Sequence, residues 1–268
     1  MTLLEGAALG LLQGFAEFLP VSSSGHLAVA KRLFGLGDLP ILFDVILHVA
    51  TLAAVVIVFR KRIGGLFAAL WRWLTRKTRV EDRDDLRFIV AVLVGTVLTG
   101  AIGLGIDKLH PAENLKLVSA GFIATAAILV VSERLAARVA TKGAGRAPGL
   151  REGLIVGIAQ GIGVLPGVSR SGITISASLG AGIDRGKAGE FSFILSIPAV
   201  LGAFLLELKD AGALLEGANI PPVALGFIVA FASGLVAIKL LMGLIKRARL
   251  SWFAAYLVPL GIIGLLFL

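Results

Sequence analysis

No cysteine occurs among the 268 residues, so disulfides, thiol nucleophiles and thiolate metal sites are excluded. Charge is scarce: Asp, Glu, Lys and Arg make up 16% of the chain, where a soluble domain carries about 25%. The start of the chain, Met1–Gly10 (MTLLEGAALG), lacks a basic segment ahead of its apolar residues and carries Glu5. It is therefore not read as a cleavable signal peptide, and the first helix is expected to stay in the mature protein. Histidine is rare, and His26, His48 and His110 are scattered. With no cysteine, that argues against a zinc site.

Hydrophobic residues, by contrast, reach 57% and fall in long blocks rather than amphipathic stripes. That pattern belongs to an integral membrane protein, made of helices because lipid offers backbone groups no other partner. The 34 glycines suit close helix packing and broken helices. A net charge of +9 raises nucleic acid as a partner, but most basic residues lie between the apolar blocks, where they orient a chain in a membrane. A membrane is the expected partner, and no nucleic acid is.

Six blocks have the length of crossings: Pro40–Phe59, Phe88–Ile106, Leu117–Ser132, Phe191–Leu208, Pro222–Ile245 and Phe253–Leu268. The third and sixth are short and need flanking residues or tilt. Arg60–Arg87 holds nine basic and four acidic residues. Glu133–Glu152, with Arg134, Arg138, Lys142, Arg146 and Arg151, and Lys246–Arg249 are also basic. The positive-inside rule places all three in the cytoplasm, and the nearly neutral loops Asp107–Lys116 and Lys209–Pro221 outside. Within the first basic loop, GGLFAALWRWL is expected to form an interfacial helix with Trp71 and Trp73 at headgroup depth.

Two segments remain, Met1–Leu39 and Gly153–Glu190. Each has an apolar arm, a Pro/Gly/Ser break and a more mixed second arm, and each must start and end on one side. Both are therefore read as re-entrant hairpins, entering from opposite faces. The expected fold is an all-α integral membrane protein of six transmembrane helices plus two re-entrant hairpins in an inverted-topology repeat. The first repeat covers 1–142 and the second 150–268, within one membrane domain, with Gly143–Gly149 as the linker. A sequence echo supports the repeat: GLLQGFAEFLPVSSSG (Gly10–Gly25) resembles GIAQGIGVLPGVSRSG (Gly157–Gly172), with one residue of slip at the proline.

The breaks carry the chemistry. Gln13 and Glu17 are four apart and share a helix face. An ionisable group at membrane depth is costly and marks a site. The bland alternative for Glu17 is a structural pairing with arginine. Pro20 ends the first arm, Ser22, Ser23 and Ser24 occupy the break, and Gly25 is expected to let the chain turn. One serine is expected only to cap the next helix. His26, three residues after Ser23, is a candidate general acid or base. In the second break Pro166 and Gly167 make the bend, and a helix begins near Ser169–Ser171. Its free N–H groups, the guanidinium of Arg170 and the hydroxyls of Ser169, Ser171 and Thr174 suit a phosphate. The alternative for Arg170 is a counter-ion to Glu17, which a substrate could displace. This set suits phosphoryl transfer. Glu17 with Gln13 could hold a hard divalent cation, Mg2+ or Ca2+. Asp44 and His48 are read either as cavity lining or as a buried pair that stabilises the bundle.

At these motifs the chain resembles the undecaprenyl-diphosphate phosphatases of the type linked to bacitracin resistance. The likeness runs over nearly the whole length and is strongest in Gln13–Leu27, Phe43–Thr51, Leu165–Thr174 and Phe191–Ala203. The resemblance implies hydrolysis of the lipid diphosphate carrier to its monophosphate, in the cytoplasmic membrane, at a site open to the outer side. It also implies a part in recycling the carrier for cell-wall synthesis. It places the family's motif serine on Ser23, its histidine on His26, its phosphate-binding arginine on Arg170 and its paired acidic positions on Gln13 and Glu17. Gln13 lacks the charge that many relatives carry there, and Ser24 stands where many have threonine. Ser23 is favoured as the nucleophile, with orientation of a metal-bound water as the alternative. The expected partner is a polyprenyl diphosphate lipid, and a homodimer is left open. The rival function is a transporter or flippase of a phosphorylated lipid or anion, which would use Arg170 but needs no nucleophile.

Overall fold

The computed structural model describes residues 1–36, 39, 41–108, 114–139, 147–207, 219–247 and 249–267. Pro40, His110, Lys142, Arg146, the first four residues of the expected linker Gly143–Gly149 and most of the two outer loops lie outside them. The described residues form eleven helices and no strand. In chain order they are α1 (Leu3–Ala16), α2 (Ser23–Leu33), α3 (Ile41–Val58), α4 (Arg60–Leu74), α5 (Asp82–Asp107) and α6 (Leu115–Val139). There follow α7 (Leu150–Ile162), α8 (Arg170–Gly180), α9 (Arg185–Glu207), α10 (Ile220–Lys246) and α11 (Trp252–Phe267).

Four of these, α5, α6, α9 and α10, are long and apolar enough to cross a bilayer. Helix α3 passes the same test together with α4, from which it bends by 75°. Helix α11 is apolar but only 16 residues long. The chain is a multi-pass, all-helical membrane protein. The bent α4 fits the expected interfacial helix: Phe67, Trp71, Trp73 and Leu74 are exposed while Leu66 and Ala69 are buried.

Two helices begin earlier than hydropathy suggests, each with aspartate at its start. Asp82, Asp84 and Asp85 fill the first turn of α5, where the helix dipole favours anions, so the helix starts six residues before Phe88. At α9 the Asp184 side chain accepts from the Gly186 N–H (2.9 Å), as an N-cap does. Helix α9 thus takes Arg185–Glu190 from the hairpin expected to run to Glu190.

The two short first arms dock alike. Helix α1 lies parallel to α10, with Gly6, Gly10 and Gly14 facing Pro222, Gly226 and Ala230. Helix α7 lies parallel to α5, with Gly153, Gly157 and Gly161 facing Ala91, Gly95 and Ile102. A Cβ at Gly10 would stand 2.3 Å from the Gly226 carbonyl oxygen, and one at Gly157 2.5 Å from the Gly95 Cα. Neither position admits a side chain, and each arm is seated backbone to backbone. Helix α3 packs against both α10 and α9, and α6 against both α11 and α8. The main apolar core runs through Phe18, Phe88, Phe122, Phe191 and Phe193, with Phe18 edge-on to Phe193 at 5.5 Å.

Candidate active site

The two breaks are built to one plan. Glu17 caps the C-terminus of α1 in helical conformation, its N–H donating to the Gln13 carbonyl, so Gln13 and Glu17 keep one face. The chain then turns through Pro20 to Ser22, whose φ of 70° lies in the left-handed region. Such a conformation costs a non-glycine residue about 1–3 kcal/mol. Ser22 Oγ accepts from the Gly25 N–H (3.3 Å), which makes Ser22 the cap of α2 and Ser23 its first residue. This corrects the expectation for Gly25. The turn is made at Ser22, and Gly25 lies inside α2, where a Cβ would stand 2.7 Å from the Phe122 ring and 3.1 Å from Gly167.

The second break bends at Pro166 and at Gly167, which has φ of 84°. A Cβ at Gly167 would overlap the Val118 carbonyl oxygen at 1.9 Å, so only glycine fits there. Thr125 of α6 pins the bend, donating its hydroxyl to the Gly167 carbonyl (3.1 Å) and accepting from the Ser169 N–H (2.9 Å). Ser169 Oγ accepts from the Gly172 N–H (3.2 Å), so Ser169 is the cap and Arg170 the first residue of α8.

The breaks touch. Arg170 Nη2 donates to Glu17 Oε1, and Ser171 Oγ donates to the Leu19 carbonyl (3.4 Å). The other carboxylate oxygen, Glu17 Oε2, accepts from Ser23 Oγ (2.6 Å) and from Gln13 Nε2 (3.1 Å). The Glu17 side chain is only 5% exposed. These donors and the guanidinium supply the partners that a carboxylate so buried needs. Beside the pair lies a pocket of about 10 Å³, room for a single water, lined by Glu17, His48, Arg170, Ser171 and Thr174.

Among the residues singled out from sequence, Gln13, Glu17, Ser23 and Arg170 meet directly, and Ser171 and Thr174 line the pocket. Ser22 and Ser169 serve as caps, and Ser24 lies 3.5 Å from the Ser22 hydroxyl. His26 has partners of its own: Nδ1 lies 2.8 Å from the Ser22 carbonyl oxygen and Nε2 2.7 Å from the Tyr256 hydroxyl of α11. The histidine next to the carboxylate is His48, with Nε2 3.4 Å from Glu17 Oε2. The alternatives for Asp44 and His48 therefore divide. His48 lines the pocket, whereas Asp44 pairs with Lys31 of α2 (2.5 Å).

Sequence reasoning missed Thr51, Ser192 and Ser196 of the lining and Tyr256. Ser192 Oγ lies 2.5 Å from Thr174 Oγ1, and the spacing of Ser192 and Ser196, one helical turn, was the available signal. Tyr256 is the only tyrosine in the chain, but nothing local ties it to His26.

The donor set can be tested against a cation. No three His, Asp or Glu side chains gather to form a cage among the described residues. The Gln13 amide oxygen, however, is buried without a hydrogen-bond partner while the same amide contacts Glu17. A carboxylate beside an amide whose oxygen is unpartnered fits a hard cation that takes its other ligands from water and phosphate, once the amide turns over.

The sequence matches the model of the family described as bacitracin resistance protein BacA over residues 6–263. It is 50% identical to an undecaprenyl-diphosphatase of Treponema denticola over 262 residues, covering 98% of this chain and 96% of that one. Proteins of the same name from Carboxydothermus hydrogenoformans and Desulfosudis oleivorans are 37% and 38% identical over 271 residues each. These cover 98% and 96% of this chain, and 96% of each relative. With the match running from α1 into α11 and taking in both breaks, the protein belongs to the bacitracin resistance protein BacA family.

Proposed function

We propose that this protein is an undecaprenyl-diphosphate phosphatase, which hydrolyses the lipid diphosphate to undecaprenyl phosphate and inorganic phosphate. One observation carries the reading of the site: the two breaks place a hydroxyl, a carboxylate and a guanidinium in direct contact, with Ser23 Oγ 2.6 Å from Glu17 Oε2 and Arg170 on Oε1. The activity itself is carried over from the relatives, whose names state it.

The substrate's terminal phosphoryl group takes Arg170 and the free N–H groups at the start of α8 as its anchors. Ser23 Oγ attacks the terminal phosphorus, and its proton passes to the Glu17 carboxylate, already within hydrogen-bond reach. The bond from that phosphorus to the bridging oxygen breaks, and the lipid monophosphate leaves. Water then hydrolyses the phosphoserine, releasing phosphate and restoring the hydroxyl. Glu17 and Gln13 would hold a divalent cation, Mg2+ or Ca2+, which offsets the charge of the diphosphate.

The topology follows the six crossings and two re-entrant hairpins of an inverted repeat, 1–142 and 150–268. Its support is the matched docking of α1 on α10 and α7 on α5, and the shared plan of the breaks. Charged contacts gather the ends assigned to the cytoplasm. Arg62 of α4 bonds Asp85 of α5 (2.5 Å) and Glu190 of α9 (2.9 Å), and Glu133 of α6 accepts from the Ser251 N–H (2.8 Å). In the cytoplasmic membrane this orientation opens the site to the outer side.

The test is phosphate release from a polyprenyl diphosphate by purified protein in detergent, with Mg2+ or Ca2+ present. Release with loss of the diphosphate is expected. No release under either cation overturns the reading and points to transport instead.

A further inference from the structure

The carboxylate of Glu17 is used on two sides. Arg170 takes Oε1, while Oε2 faces Gln13, Ser23 and His48. Gln13 and Ser23 donate to Oε2, and His48 Nε2 approaches the same oxygen. Its Nδ1 lies 2.7 Å from the Asp44 carbonyl oxygen, which has no proton to give, so Nδ1 carries the hydrogen and donates. In the neutral ring Nε2 then bears a lone pair, and it stands 3.4 Å from a carboxylate oxygen. Two acceptors so placed repel unless something positive lies between them.

A divalent cation fits that gap. Ligands that share one ion at bonds of roughly 2.0–2.4 Å stand about 3 Å apart. A ligating histidine commonly donates its other ring N–H to a carbonyl, which fixes the tautomer, and Asp44 supplies that carbonyl here. A second, independent observation concerns the residue on the same carboxylate oxygen. The Gln13 side chain is wholly buried, and its amide oxygen has no partner although Nε2 lies 3.1 Å from Glu17 Oε2. Turning the amide over would present that oxygen to Glu17 Oε2 in place of Nε2.

We propose that His48 is a ligand of the divalent cation, through Nε2, together with Glu17 Oε2 and the Gln13 amide oxygen. The inference rests on the phosphatase reading of the same site and adds a nitrogen donor to it. A single imidazole among oxygens favours Mn2+ over Ca2+, since imidazole suits transition metals and calcium prefers oxygen. The sequence hid this because His48 lies 31 residues from Glu17 on another helix.

The experiment uses the full chain in detergent, loaded with Mn2+ and no substrate. Pulsed electron paramagnetic resonance detects a nitrogen coupled to the manganese, and a Ca2+ competition gives the relative affinity. Wild type and His26→Gln are expected to carry one histidine nitrogen on Mn2+. His48→Gln is expected to lose it, to bind Mn2+ about tenfold or more weaker, and to move its preference toward Ca2+. Circular dichroism and thermal denaturation of His48→Gln check that the variant is folded, and His48→Asn serves if it is not. Mn2+ bound with no nitrogen coupling, a coupling that survives in both variants, or no Mn2+ binding at all would overturn the proposal; the first would leave His48 as an ion pair to Glu17 only. Phosphate release by wild type is measured separately, so loss of the activity reading and loss of the ligand are distinct results.

Discussion

The break between α1 and α2 and the break between α7 and α8 share a frame and differ in cargo. Both bend at a proline, and both restart on a serine that accepts from a glycine N–H three residues on. Both place a buried glutamine in the preceding arm, Gln13 and Gln160. The first residue of the new helix is Ser23 in one and Arg170 in the other. Four residues beyond the glutamine stands Glu17 in one and Val164 in the other. Each glutamine follows its neighbours: Gln13 turns to Glu17, while Gln160 donates to Thr99 Oγ1 (3.1 Å) and the Leu195 carbonyl (3.4 Å). One frame thus carries the carboxylate and hydroxyl, the other the cationic anchor. The shared frame sets where the groups stand, and the difference in cargo brings unlike groups together.

Breaking that division should cost most at the hydroxyl. Ser23→Ala is expected to lower phosphate release by about 10⁴-fold or more, the scale on which losing a nucleophile acts. Its counterpart as a helix cap, Ser169→Ala, should stay active. Appreciable turnover in Ser23→Ala would transfer the attack to water.

The charged pair comes next. Glu17→Gln and Arg170→Ala should each lower turnover by about 10²–10³-fold, as loss of a charge-stabilising group does. Arg170→Ala should also lower stability by about 3 kcal/mol, because Glu17 is left buried without its partner. The exchange Glu17→Arg with Arg170→Glu sharpens the comparison. Thermal denaturation should recover relative to either single variant, while activity stays lost, since Ser23 then faces a guanidinium.

The glutamines should separate function from structure. Gln13→Ala is expected to reduce turnover about tenfold with little change in melting. Gln160→Ala should cost about 1–2 kcal/mol, through the lost bonds to Thr99 and Leu195, with turnover within about threefold. The reverse pattern would unseat the assignment of the first break as the catalytic one. Smallest of all, Ser22→Ala should lower stability by about 1 kcal/mol, the usual worth of a helix cap, as measured by denaturation.

Much of this was legible before any coordinates. The breaks were visible because proline, glycine and serine interrupt apolar arms, and Gln13, Glu17, Ser23 and Arg170 stood out as polar groups in apolar surroundings. What stayed hidden depends on contacts across the bundle. His26 and His48 look alike as isolated histidines, and only the fold turns one to Tyr256 and the other to Glu17. The turn at Ser22 was assigned to Gly25, because a positive φ is normally glycine's, whereas Gly25 is needed for the approach of Phe122 and Gly167. The early starts of α5 and α9 escaped because hydropathy counts against a helix the acids that the dipole welcomes in the first turn of α5 and that cap the start of α9.

The glycine-lined docking of α1 and α7 has a consequence for how the chain is put together. Helix α1 is seated on α10, near the far end of the sequence, and α7 reaches back to α5. Each portion lends the other an arm, as two interlocked hands do. A chain severed between residues 139 and 147 would leave both arms unseated and both breaks without their partner. The two pieces should accumulate and act only when produced together, and neither catalyses alone.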